Sequence, residues 1–195
     1  MARPSLKKER TEEILDAFER CVARLGLEAS SLEAIAEEAG MKRSILRHFI
    51  GNRDAIIAAM IGRITDRYRQ ETRLLLAALP KTNKTDALID MLFAQDNGES
   101  ADERAVAEAL LGAAGRYPVI RECFSVWITE FVDVIARVLA EDNPHAGQGD
   151  CWTVAYGLVG LYFTNDAMVP LALPQRFSHA ARASARRLAA TLITA

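Results

Sequence analysis

A chain of 195 residues, half of them hydrophobic, is long enough for one domain or two small ones with a sizeable core, which excludes intrinsic disorder. Its formal charge of -2, from 24 basic and 26 acidic side chains, excludes a uniformly basic coat that would wrap nucleic acid. No apolar run reaches the roughly 18 residues of a membrane span, the amino terminus lacks an apolar signal core, and Cys21, Cys123 and Cys151 show no C-x-x-C spacing, so a cytoplasmic protein with reduced thiols and no membrane partner is expected.

Residues 2–9 form a short basic and polar arm with Arg3, Lys7 and Lys8, too polar to pack by itself. It is either a frayed terminus or a phosphate or minor-groove contact ahead of the first helix. That helix is expected over residues 9–25. Ile14, Ala17, Phe18, Cys21, Val22 and Leu25 recur at the spacing of one helix face, and Gly26 ends it.

The stretch over residues 30–54 reads as a helix-turn-helix. Leu32, Ile35, Ala36 and Ala39 supply the inward stripe of a short packing helix. Ser30 or Ser31 can cap its first amides, and Glu33 stands three residues after Ser30, the spacing of a capping box. Gly40 follows where a left-handed C-cap favours glycine, so the turn is expected over residues 39–42. The second helix carries Lys42, Arg43, Ser44, Arg47 and His48 around one side. Met41, Ile45, Leu46, Phe49 and Ile50 supply apolar contacts elsewhere, and no acid occurs between Met41 and Asn52. With Leu46 pointing inward and about 100° per residue, Ser44 and His48 point away from the core, with Arg43 and Arg47 on one flank. A basic run is often only a solvated face. A capped packing helix and a glycine turn directly before it point instead to a reader of double-stranded DNA.

The residues Ile14-Leu15-Asp16-Ala17, Gly26 and Ser31-Leu32-x-x-Ile35-Ala36-x-x-Ala39-Gly40 resemble, without gaps over about fifty residues, the amino-terminal domain of TetR-like repressors. In that family a leucine, a tyrosine, an aromatic pair and a lysine follow the glycine; here the counterparts are Leu46, Arg47, Phe49-Ile50 and Arg53. Arg47 replaces the phosphate-binding tyrosine and can still bind phosphate. Phe49 stands where a histidine or tyrosine often reaches phosphate, and it cannot hydrogen-bond, so core packing is its expected role. The expected DNA site is therefore Ser31, Lys42, Arg43, Ser44, Arg47, His48 and Arg53. Arg43 reads a base, Lys42, Arg47 and Arg53 neutralise phosphates, and the amides near Ser31 assist. Beyond residue 61 the resemblance implies only an all-helical ligand-binding and dimerisation domain. The expected division is 1–51 for DNA binding and 52–195 for effector and dimer, in an all-α fold joined by a long helix.

That long helix is expected from Gly51 or Asn52 to Pro80, because Ile57, Met60, Ile61, Ile64, Tyr68, Leu75 and Leu79 recur at helical spacing. Further helices are expected over residues 85–95, from a second capping box of Ser100 and Glu103 to residue 116, and from Pro118 to residue 141. Asn97-Gly98-Glu99 and residues 142–149 read as turn and loop. The last two helices, over residues 150–169 and 175–193, mix Trp152, Tyr156, Val159 and Phe163 with Ala155, Gly157 and Gly160, and place Phe177, Ala181, Ala185, Leu188 and Leu192 on one stripe. Two such helices from each of two subunits would make a four-helix bundle, so a homodimer is expected.

No glycine-rich phosphate loop, H-E-x-x-H or His and Cys cluster occurs, so no enzyme, cofactor or metal is expected. Phe93, Phe124, Trp127 and Phe131 are the candidate lining for an unknown small, largely apolar or aromatic effector, although such a stripe is more often core. The leading reading is a dimeric, ligand-responsive transcriptional regulator on a palindromic operator, acting as a repressor. Its rival is an all-helical small-molecule carrier or enzyme without DNA-binding activity.

Overall fold

The computed structural model describes residues 6–94 and 100–193. The described residues are helical, without strands: α1 (Leu6–Leu25), α2 (Leu32–Glu38), α3 (Arg43–Ile50), α4 (Arg53–Ala78), α5 (Lys84–Leu92), α6 (Ala101–Ala113), α7 (Pro118–Asp142), α8 (Gln148–Ala167), a 3-10 turn (Val169–Leu171) and α9 (Arg176–Ala190). Arg3 of the basic arm, residue 95 and the expected turn at Asn97-Gly98-Glu99 lie outside the described residues, whereas Lys7 and Lys8 fall in the exposed first turn of α1.

Two compact units divide the chain: Met1–Arg67 with Glu99–Ser125, and Tyr68–Gly98 with Val126–Ala195. The helices α4 and α7 each supply residues to both. This partition by packing differs from a division at residue 51, because α1 packs against α6 as well as against α2 and α3.

In the first unit the core is built from period-3.6 stripes. Ile14, Ala17, Phe18 and Cys21 of α1 are fully buried, with Ile35 of α2, Leu46 of α3 and Ile56, Ile57, Met60, Ile61 and Ile64 of α4. Each of the Ile, Leu, Phe and Met side chains among them contributes about 1.5–3 kcal/mol over an exposed one. Ion pairs fix α4 on α1: Arg63 donates to Asp16 at 2.7 Å, Glu12 at 3.2 Å and, through Nε, Glu19 at 3.0 Å. Burial alone would depress the arginine's proton affinity, but these carboxylates outweigh it and raise it. The predicted second capping box is present, with the Ser100 amide donating to Glu103 at 2.8 Å and the Glu103 amide to the Ser100 hydroxyl at 3.2 Å.

In the second unit Leu88, Ile89, Phe131, Val132, Ile135, Leu139, Ala155, Leu158 and Ala185 make a continuous core from α5, α7, α8 and α9. Gly157 admits α9 to α8: a Cβ there would meet Leu188 Cδ2 at 2.5 Å. Leu188 is thus half-buried within this chain, and Phe177, expected on the same stripe, is 44% exposed. Helix α9 touches α8 and α5, and its Ala181, Ala185 and Leu188 lie on the core while Phe177 does not.

Candidate nucleic-acid interface

The interface begins at a loop whose backbone is closely tied down. Gly26 ends α1 at φ +77°, and its amide donates to the Val22 carbonyl at 2.9 Å. The Ser30 hydroxyl donates back to the Gly26 carbonyl at 2.7 Å. Ser31 is the N-cap of α2, and its hydroxyl accepts from the Ala34 amide at 3.1 Å. Position N3 is therefore Ala34, so the capping box expected from Ser30 and Glu33 does not form: the cap sits one residue later, and Glu33 is released to the surface.

The end of α2 is a Schellman motif. The Met41 amide donates to the Ala36 carbonyl at 2.9 Å and the Gly40 amide to the Glu37 carbonyl at 3.0 Å, with Gly40 at φ +63°. Four residues, 39–42, then separate α2 from α3, as the glycine predicts. Arg20 and Arg24 of α1 grip the last residue of α2, donating to the two carboxylate oxygens of Glu38 at 2.7 and 3.0 Å. The hydrogen bond from Arg20 chiefly holds this carboxyl below its ordinary range, with Arg24 acting in the same direction.

On α3, Leu46 and Ile50 are buried, and Lys42, Arg43, Ser44, Arg47 and His48 are all exposed. None of these five residues is an acid. Phe49 is half-buried, its ring edge-on to His48 at 5.2 Å between centroids. Ile45, expected to pack, is 43% exposed. At about 100° per residue Ile45 lies on the flank opposite Arg43 and Arg47, away from the packing side set by Leu46.

Two cations have partners that the sequence did not suggest. Arg43 pairs with Glu33 of α2, both side chains being more than half exposed at 53% and 58%. Arg53, at the first turn of α4, donates to the carbonyls of Ser30 and Leu27, each at 2.6 Å. Its guanidinium fastens the loop that presents Ser31, and long-range partners of this kind leave no spacing signal in a sequence. Glu28 of that loop also accepts from Tyr117 at 3.1 Å and pairs with Arg116 at 3.2 Å.

Of the four aromatic candidates, Phe93, Phe124 and Phe131 are buried. Phe124 is buried within the span of the first unit, and Phe93, Trp127 and Phe131 belong to the second. There Trp127 stacks on Phe131 at 6.0 Å between centroids and meets Tyr68 at 4.7 Å and Phe163 at 5.9 Å. Tyr162 stands at 6.4 Å from Phe131. These are separations of rings in direct contact. No grouping of His, Cys, Asp and Glu fit for a metal ion, and no helix long and apolar enough to cross a membrane, occurs among the described residues. Burial pushes the Cys21 and Cys151 thiols up, away from reactivity.

No family model and no curated protein matches the sequence. Solved structures do. A TetR transcription regulator from Haloarcula marismortui superposes with a TM-score of 0.75 at 17% identity, covering 94% of this chain and 98% of that one. A transcriptional regulator from Rhodococcus sp. Rha1 gives 0.72 at 18%, with 94% and 96% covered. A third protein, from Saccharomonospora viridis, assigned as a transcriptional regulator and solved in complex with choline, gives 0.75 at 17%, with 92% and 95% covered. At these identities the likeness establishes the architecture: the chain has the TetR-like all-α fold.

Proposed function

We propose that the chain is a cytoplasmic, ligand-responsive transcriptional regulator, a repressor, that binds a palindromic DNA operator as a homodimer. Residues 1–51 carry the DNA contacts, and residues 52–195 carry the effector and the dimer interface. One observation carries the reading: an acid-free helix with Lys42, Arg43, Ser44, Arg47 and His48 all exposed, set after a serine-capped helix and a glycine turn. In this reading α3 enters the major groove. Arg43 exchanges Glu33 for guanine O6 and N7, worth about 1–3 kcal/mol of discrimination. Lys42 and Arg47 neutralise phosphates, assisted by the α2 amides near Ser31, while Ser44 and His48 face the base edges. Arg53 supports the same contacts through the loop it holds.

Two half-sites on one face of the duplex need a two-fold protein. The exposed apolar side chains Trp152, Tyr156, Val169, Leu171 and Phe177 on and between α8 and α9 support a second copy as their cover. The effector is a small apolar or aromatic molecule, received where Trp127, Phe131 and Phe93 border the aromatic cluster of the second unit. Because those rings pack on one another, it enters by turning them. Linkage then requires operator DNA to lower effector affinity by the factor by which effector lowers operator affinity. The decisive experiment is selection of bound DNA from a random pool. An inverted repeat supports the reading, and recovery of unenriched sequence rejects it.

A further inference from the structure

Ile45 is 43% exposed on α3, which also carries exposed Arg43, Ser44, Arg47 and His48. Folding does not call for it there. A β-branched side chain has only moderate helix propensity, and this one leaves apolar surface in water while Leu46 and Ile50 already supply the helix's packing. About 100° per residue sets Ile45 to one side of the inward Leu46 and Arg47 to the other. The outer surface of α3 therefore runs from a cationic flank, Arg43 and Arg47, across Ser44 and His48, to an apolar flank at Ile45.

The major groove offers complementary chemistry: guanine presents two acceptors, and thymine presents a 5-methyl group. We propose that Ile45 packs on a thymine 5-methyl group in each half-site, so that this chain specifies thymine on one flank of the recognition helix as well as guanine on the other. The assignment rests on the DNA-binding reading above and adds a specificity residue to it. The pairing is between two apolar groups, so it has no salt dependence of its own.

The test begins with the operator selected by the wild-type chain. Replacing each consensus thymine in turn by deoxyuridine removes one methyl group and nothing else. At one thymine per half-site this should weaken wild-type binding by about fourfold, the factor that burial of one such carbon group corresponds to. Ile45→Ala should bind the thymine and deoxyuridine operators equally, and Ile45→Val should fall between. Because Ile45 is exposed, both variants should melt with the wild type, and the deoxyuridine arm needs only the wild-type chain. Methyl-indifferent thymines throughout a clear inverted repeat would overturn the Ile45 assignment alone, as would full methyl sensitivity in Ile45→Ala. Recovery of no enriched sequence by the wild type would overturn the DNA-binding reading, and this assignment with it.

Discussion

The Arg53 guanidinium donates to the Ser30 carbonyl oxygen at 2.6 Å, one residue before the serine that caps α2. A second nitrogen reaches the Leu27 carbonyl at the same distance, so one side chain from α4 closes the whole loop between α1 and α2. Charge-assisted hydrogen bonds of this kind contribute about 1.5–3 kcal/mol each, and partial exposure of the arginine places this pair toward the lower end. Arg53→Ala should lower stability by about 1–3 kcal/mol in urea denaturation and weaken binding to every DNA sequence. Its salt dependence should stay that of the wild type, whereas Arg47→Ala should reduce the logarithmic salt slope by roughly 0.9. A reduced slope for Arg53→Ala would return that side chain to direct phosphate contact.

Glu33 of α2 holds Arg43 of α3 in an exposed pair that contributes little stability. Glu33→Gln should leave the melting temperature within a degree or two. DNA affinity should rise about three- to tenfold at low salt, as repulsion from phosphate is removed and Arg43 is released. Titration by fluorescence anisotropy at two salt concentrations reads both effects. Unchanged or weaker binding would show that the pair orients Arg43 for its base.

The Glu103 carboxyl is held below its ordinary value, chiefly by the Ser100 amide, with the Ser100 hydroxyl and the Arg67 charge in support and burial opposing. A depressed carboxyl contributes stability that is present above its unfolded pKa and is lost as pH falls through the folded one. Glu103→Gln should therefore cost about 0.5–1 kcal/mol at pH 7, and the gap from wild type should close below the carboxylate range. Denaturant midpoints for both proteins across that range provide the check. A constant gap would assign the effect to packing.

Tyr156, on the outer side of α8, is 61% exposed, and Trp152 stacks on it at 5.9 Å between centroids. Tyr156→Asp should shift sedimentation from about twice 21.4 kDa toward the single chain, with helicity retained. A charge at Leu188 would be a poorer probe, because that side chain packs against Gly157 within the subunit. Dimer mass retained by Tyr156→Asp would move the interface elsewhere.

Sequence alone determined the elements that rest on local rules. The glycine C-cap at Gly40, the Ser100–Glu103 box and the inward stripes of α1 and α4 were legible because each depends on residues within one turn of each other, although Leu25, expected on the α1 stripe, is 44% exposed at the end of its helix. The exposed basic surface of α3 was legible too, since 3.6-residue geometry decides it once Leu46 is taken as buried. Tertiary structure decided what depends on partners distant in the chain. It selected Ser31 over Ser30 as cap, because the Ser30 hydroxyl is engaged by Gly26 and its carbonyl by Arg53. It also drew Arg43 to Glu33 and Glu28 to Tyr117. Such pairings arise where the folded chain brings charges and hydroxyls together, and sequence spacing carries no trace of them.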